Sequence, residues 1–149
     1  MTDSQVRTPI KLDLRVAMGD PVGVRKAYLP DDGDLRVRLA KRQVTLADYW
    51  YLRGFRKYLE RDFASAVEAL NISLLHEPGR AEAHFTKGVC LQLAALDEGM
   101  QITEAPERMP ARAHSLLMKA RWAFSIALEL NPEDEEARTY LQGIEALLR

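Results

Sequence analysis

The sequence predicts an all-α fold: a short array of helix hairpins with a capping helix, preceded by an N-terminal extension of extended or mixed structure. Three observations predict it. From Thr45 onward, apolar residues recur at the helical period. Two glycine motifs, W-Y-L-R-G ending at Gly54 and H-F-T-K-G ending at Gly88, lie 34 residues apart. Two apolar helix ends, ALNISLLHEP and FSIALELNP, close on Pro78 and Pro132, separated by one such unit plus a 20-residue insertion. A two-helix unit recurring at a fixed period is the signature of repeat architecture.

The first hairpin opens at Thr45, a good N-cap, with Asp48 three residues on approximating a capping box. Val44 and Tyr49 are spaced as a hydrophobic staple. A helix over 46–61 would carry Arg53, Arg56, Lys57 and Glu60 on one arc and Tyr51, Leu52, Phe55, Tyr58 and Leu59 on the other. A second helix over 64–76 would bury Ala66, Val67, Leu70 and Leu74 before Pro78-Gly79 ends it. Gly54 sits inside the first of these, where glycine costs about 1 kcal/mol relative to alanine. Close packing of the two helices is the expected compensation, with Gly54 and Ala66 as contact points.

The second hairpin is interrupted. ALDEGMQITEAPERMP carries Gly99, Pro106 and Pro110 as breakers, so an insertion is expected at about 96–110. The following ARAHSLLMKARWAFSIALEL is periodic for 20 residues, about 30 Å of helix. Both helices of this hairpin are expected to run about two turns beyond the first pair. The tip would display Met100, Ile102 and Met109, either as a tolerated loop elongation or as a partner-contacting knob. The final stretch, 135–148, would be the capping helix, with the acids of EDEE at its start favouring the dipole.

At these positions the chain resembles the tetratricopeptide repeat family. Trp50, Gly54, Phe63, Ala66, Leu70 and Pro78 fall at that family's spacing in the first unit. His84, Gly88 and Leu91 do so in the second, joined past the insertion by Ala120, Phe124, Ala127 and Pro132. The resemblance covers roughly residues 47–148. It departs from the pattern at Arg53 and Lys57, where large apolar residues are usual. Either the first helix is partly uncovered there, or the long stems lie along the core with their charges outside.

The resemblance implies a concave groove lined by the first helix of each pair. Carried over by position, its residues are Asp48, Tyr51, Phe55 and Tyr58, then Glu82, Phe85, Val89 and Gln92. Tyr51, Phe55 and Thr86 stand where carboxylate-clamping members of the family need lysine and asparagine, so no acidic tail should be clamped. An aromatic trough rarely stays bare. Either residues 1–44 cover it, or a partner segment binds there. On this reading, Tyr51→Ala with Phe85→Ala should abolish partner capture and leave the chain helical.

Residues 1–44 form a separate extension before the body at 45–149, with nine Lys/Arg against six Asp/Glu. The strict alternation of IKLDLRV at 10–16 and LRVRL at 35–39 predicts short strands. Asp20-Pro21 would cap a short helix between them, and PDDGD at 30–34 would be a turn. Such strands need a surface to pack on: the helical body, a second copy of the chain, or a partner. A two-unit array is short, so support from this arm or self-association through it is expected.

Chemistry finds little foothold. Three histidines show no metal-ligand spacing, and His84 and Cys90, six apart, fall on different sides of a helix. No phosphate-cradling loop is present, so no enzyme activity, metal or cofactor is expected. The net charge of −1 gives no pull toward nucleic acid or membrane, and no stacking aromatic lies among Arg36, Arg38, Lys41 and Arg42. With no secretory signal or membrane-length apolar run, a cytoplasmic protein is expected. The function expected is a protein-protein interaction adaptor or scaffold. The competing expectation is a small chaperone shielding a secretion or assembly client.

Overall fold

Why the chain folds into helices can be followed cap by cap in a computed structural model, which describes residues 31–98 and 111–149. The strand expected at 10–16, the short helix after Asp20, and the tip residues Met100, Ile102 and Met109 lie outside the described residues. Those described form six α-helices and no strand, so the expectation of an all-α chain holds among them. The chain divides into two compact units, Met1–Pro78 and Gly79–Arg149.

The first unit corrects the reading of 30–44. In place of a turn and a strand there is a helix, α1 (Asp32–Ala40). Asp31 caps it, its Oδ1 accepting from the Asp34 amide at 2.7 Å. Asp32 and Asp34 sit in the first turn, where the helix dipole favours acids. Arg38 Nε reaches back one turn to Asp34 Oδ2 at 3.0 Å. The alternation of LRVRL misleads because Leu35 and Leu39 are also one helical turn apart. The structure buries Leu35, half-buries Leu39, and leaves Val37 49% exposed.

Helix α1 ends with Arg42 in the left-handed region, φ 59°. The Arg42 amide donates to the Leu39 carbonyl at 3.0 Å and the Gln43 amide to that of Arg38 at 2.8 Å, a Schellman closure. Helix α2 (Leu46–Leu59) ends the same way, with Arg61 at φ 62° and the Asp62 amide donating to the Lys57 carbonyl at 2.9 Å. That closure stops α2 two residues short of the expected end. Glycine normally fills this position because an L side chain costs about 1–2 kcal/mol there. Arg42→Gly should therefore stabilise the first unit by about 0.5–1 kcal/mol after the entropy cost of glycine. A urea midpoint unchanged or lowered would contradict this. Arg42 is the better test site, since the Arg61 guanidinium also lies 5.1 Å from the Phe63 ring centroid.

The start of α2 is as expected. Thr45 Oγ1 accepts from the Asp48 amide at 3.0 Å, and Asp48 Oδ2 accepts from the Thr45 amide at 3.3 Å. Val44 and Tyr49, the staple pair, are both buried. Helix α3 (Phe63–His76) is capped by Asp62 and folds back on α2. An ideal Cβ on Gly54 would lie 2.8 Å from Leu70 Cγ and 3.2 Å from the Ala66 carbonyl oxygen, so α3 passes too close for any side chain. The buried Ser73 Oγ donates to the Ala47 carbonyl at 2.7 Å and pins the two helices at the other end. A bond of that kind contributes about 1 kcal/mol.

Arg53 lies along its own helix. Its guanidinium lies 5.7 Å from the Tyr49 ring centroid and 5.4 Å from that of Trp50, and Nη1 donates to Tyr49 Oη at 3.2 Å. The charged end itself lies on aromatic surface, and the side chain keeps 24% of its exposure.

The second unit comprises α4 (Ala81–Asp97), α5 (Ala111–Leu130) and α6 (Glu135–Leu148). Helix α5 has 20 residues against 14 in α3, close to the expected extension, whereas α4 has 17 against 14 in α2, less than one turn more. Helix α5 buries one stripe, Ala113, Leu117, Ala120, Phe124 and Ala127, and packs on both α4 and α6. Gly88 repeats the office of Gly54: a Cβ there would lie 2.8 Å from Phe124 ring carbons. The last helix has the predicted bounds. Asp134 caps it, Oδ1 accepting from the Ala137 amide at 3.0 Å, with Glu135 and Glu136 in its first turn.

Candidate interaction surface

The eight residues carried over to a groove divide between the two units, and each set has a structural occupation. In the first unit the Asp48 carboxylate is spent on the capping box. Tyr51 and Phe55 are 0% exposed, their rings stacked at a centroid distance of 6.4 Å. Half-buried Tyr58 continues the file, 6.0 Å from Phe55 and 6.3 Å from Phe63. In the second unit Phe85 and Val89 are buried and Gln92 is half-buried. Glu82 alone is exposed, its Oε1 accepting from Arg80 Nε at 3.1 Å.

Phe85 is walled in by rings. It meets Phe124 edge-on at 5.6 Å and Tyr140 edge-on at 5.5 Å, while Phe124 and Tyr140 stack at 5.2 Å. Offset and edge-on pairs at these separations contribute about 0.5–1.5 kcal/mol beyond their buried area. The expectation of a bare aromatic trough is therefore corrected. Tyr51, Phe55 and Phe85 are buried; Phe85 is covered by rings of the two following helices, while Tyr51 and Phe55 stack along their own. Tyr140 is the missing wall. It stands on the helix read only as a solvent-facing cap, which hid its inward ring.

Among the large apolar side chains left exposed, which include Leu75 at 80%, Leu46 and Val37, two share one face of α5. Trp122 is 70% exposed and Met118, one turn before it, 37% exposed. Both fall opposite the buried Ala120–Phe124 stripe. A helical wheel drawn on the periodic stretch would have found this face, but the periodicity drew attention to its buried side. Two cations neighbour Trp122 in the sequence of α5. Lys119 is exposed and Arg121 half-buried, and half-buried Lys87 lies near enough to Lys119 to register its charge. Burial first, and that like charge second, push the Lys87 ammonium below its ordinary value. No acid is salt-bridged to Lys87 or Lys119 among the described residues. Such a helix offers an apolar anchor point and carries positive charge on neighbouring residues.

The groups singled out for chemistry are inert. Cys90 is buried, and burial pushes its thiol up to about 12, far from a reactive thiolate. His84 is buried as the bulky opener of α4. Among the described residues no group of three or more His, Cys, Asp or Glu is placed to hold a metal ion, and no helix is long and apolar enough to cross a membrane. No protein-family model matches the chain, and comparison with the curated proteins and with the solved structures gives no match.

Proposed function

We propose that this chain is a non-enzymatic, cytoplasmic adaptor on tetratricopeptide-like helix hairpins, capturing a segment of another protein. The scaffold reading draws support from Gly54 and Gly88, 34 residues apart and each blocked by the partner helix of its own hairpin. The binding reading rests on one observation: an indole 70% exposed beside an exposed methionine, on a helix whose other side is fully employed. Tryptophan is the residue most enriched among side chains that dominate interface energies, and methionine adapts to varied apolar partners. Contact thus moves from the buried rings to the Trp122 face, and the cations that neighbour it in sequence, Lys119 and Arg121, favour a partner segment with acidic flanks.

Trp122→Ala with Met118→Ala tests this. Both side chains are exposed, so thermal stability should move by no more than about 0.5 kcal/mol. Proteins captured from the native host by the unaltered chain should fall about tenfold or more in recovery with the variant, as measured by quantitative mass spectrometry. Undiminished capture by a stably folded variant would refute the assignment.

A further inference from the structure

A different face, on α2, is already occupied by a piece of the chain itself. Helix α1 packs on α2, and its one fully buried side chain is Leu35. Three residues before Leu35 stands Asp32, whose carboxylate faces two arginines of α2: Oδ2 is 3.9 Å from Arg53 Nη1 and Oδ1 is 3.9 Å from Arg56 Nε. Arg53 has anchors on its own helix. It is held by the rings of Tyr49 and Trp50 and by its hydrogen bond to Tyr49 Oη. One guanidinium anchored on its own helix and a second beside it make a receiving surface complementary in charge to an acidic first turn.

The hold of α1 on that surface is slight. The helix has 9 residues, too few to persist alone in water. Its ion pairs are long, and the Asp32 side chain keeps 46% of its exposure. Exposed pairs of this kind contribute little and are screened by salt. The rest of α1 is mostly turned outward, Arg36, Val37 and Ala40 among it. Among the described residues, α1 turns inward buried Leu35, half-buried Leu39 and the Asp32 carboxylate.

We propose that the Tyr49–Arg53–Arg56 face of α2 is a docking site for a helix with an acidic first turn and a large aliphatic residue three positions after the acid, and that α1 closes the site as a built-in competitor. A tethered segment competes at an effective concentration on the order of millimolar. A partner helix must therefore outbid α1 through extra contacts beyond the aspartate and leucine they share. This proposal uses neither Trp122 nor Met118, so its failure leaves the adaptor reading standing.

The test uses the full chain and, as probe, a fluorescently labelled peptide of residues 31–43. In the opened variant Asp32→Ala with Leu35→Ala, the peptide should bind about tenfold or more tightly than to the unaltered chain, read by anisotropy at low salt. Adding Arg53→Glu and Arg56→Glu to the opened chain should remove the binding. An opened chain that stays helical yet takes up the peptide no better than the unaltered one overturns the proposal. Should the opened chain fail to fold, hydrogen exchange on the unaltered chain decides. Amides of α1 exchanging about tenfold or more faster than those of α2 support a detachable latch, and equal protection overturns it.

Discussion

Phe85→Ala is expected to unfold the second unit, and Tyr51→Ala to do nearly the same to the first. Both side chains are essentially without exposure, and Phe85 packs edge-on against the stacked pair Phe124 and Tyr140. Truncating a buried phenylalanine to alanine costs about 3–5 kcal/mol, since transfer energy and packing are lost together and the hole closes only partly. The total stability of a domain this size is about 5–15 kcal/mol, so one such loss removes a large share of the margin. The double variant should therefore lose much of its helical circular dichroism, where the reading from sequence expected it to stay helical. Retained helicity with a urea midpoint equivalent to less than about 1 kcal/mol of loss would show that these rings line a surface after all. Trp122→Ala supplies the contrast: a larger ring removed for a far smaller effect.

That contrast shows where sequence reasoning stops. Positions whose role is local were legible. Thr45 and Asp48 cap one another across three residues, and Asp134 with the acids after it starts the last helix, because a cap needs only its own turn. Gly54 and Gly88 were legible too, since a costly residue repeated at one spacing demands a steric cause. The failures have a common source. Whether Phe85 faces a ligand or Tyr140 depends on residues some 55 positions away, which periodicity in one helix cannot report. Leu35–Leu39 satisfies a strand and a helix equally over five residues, and what decides is the capping by Asp31, read from the sequence as part of a turn. The closures at Arg42 and Arg61 carried no glycine to announce them.

The second large effect concerns the glycines, and here the sign of the change is the test. Gly88→Ala gains about 1 kcal/mol of helix propensity and should nevertheless destabilise. Three ring carbons of Phe124 lie within 2.8–2.9 Å of the position a Cβ would take. That ring has no room to retreat, being fully buried, stacked on Tyr140 and edge-on to Phe85. Overpacking of this kind costs about 1–3 kcal/mol, occasionally more, so the expected net loss at Gly88 is about 1–3 kcal/mol. Gly54→Ala meets the branch carbon of Leu70 and a backbone oxygen, and should lose a similar amount from the first unit. Gly143, inside α6, has nothing within 4 Å of its Cβ position. Its alanine variant should gain about 0.5–1 kcal/mol from propensity alone. Urea titrations of the three variants give the answer as two losses and one gain. A gain at Gly88 or Gly54 would mean the hairpins have slack where van der Waals contact is claimed, and the common steric rule behind the 34-residue spacing would fall with it.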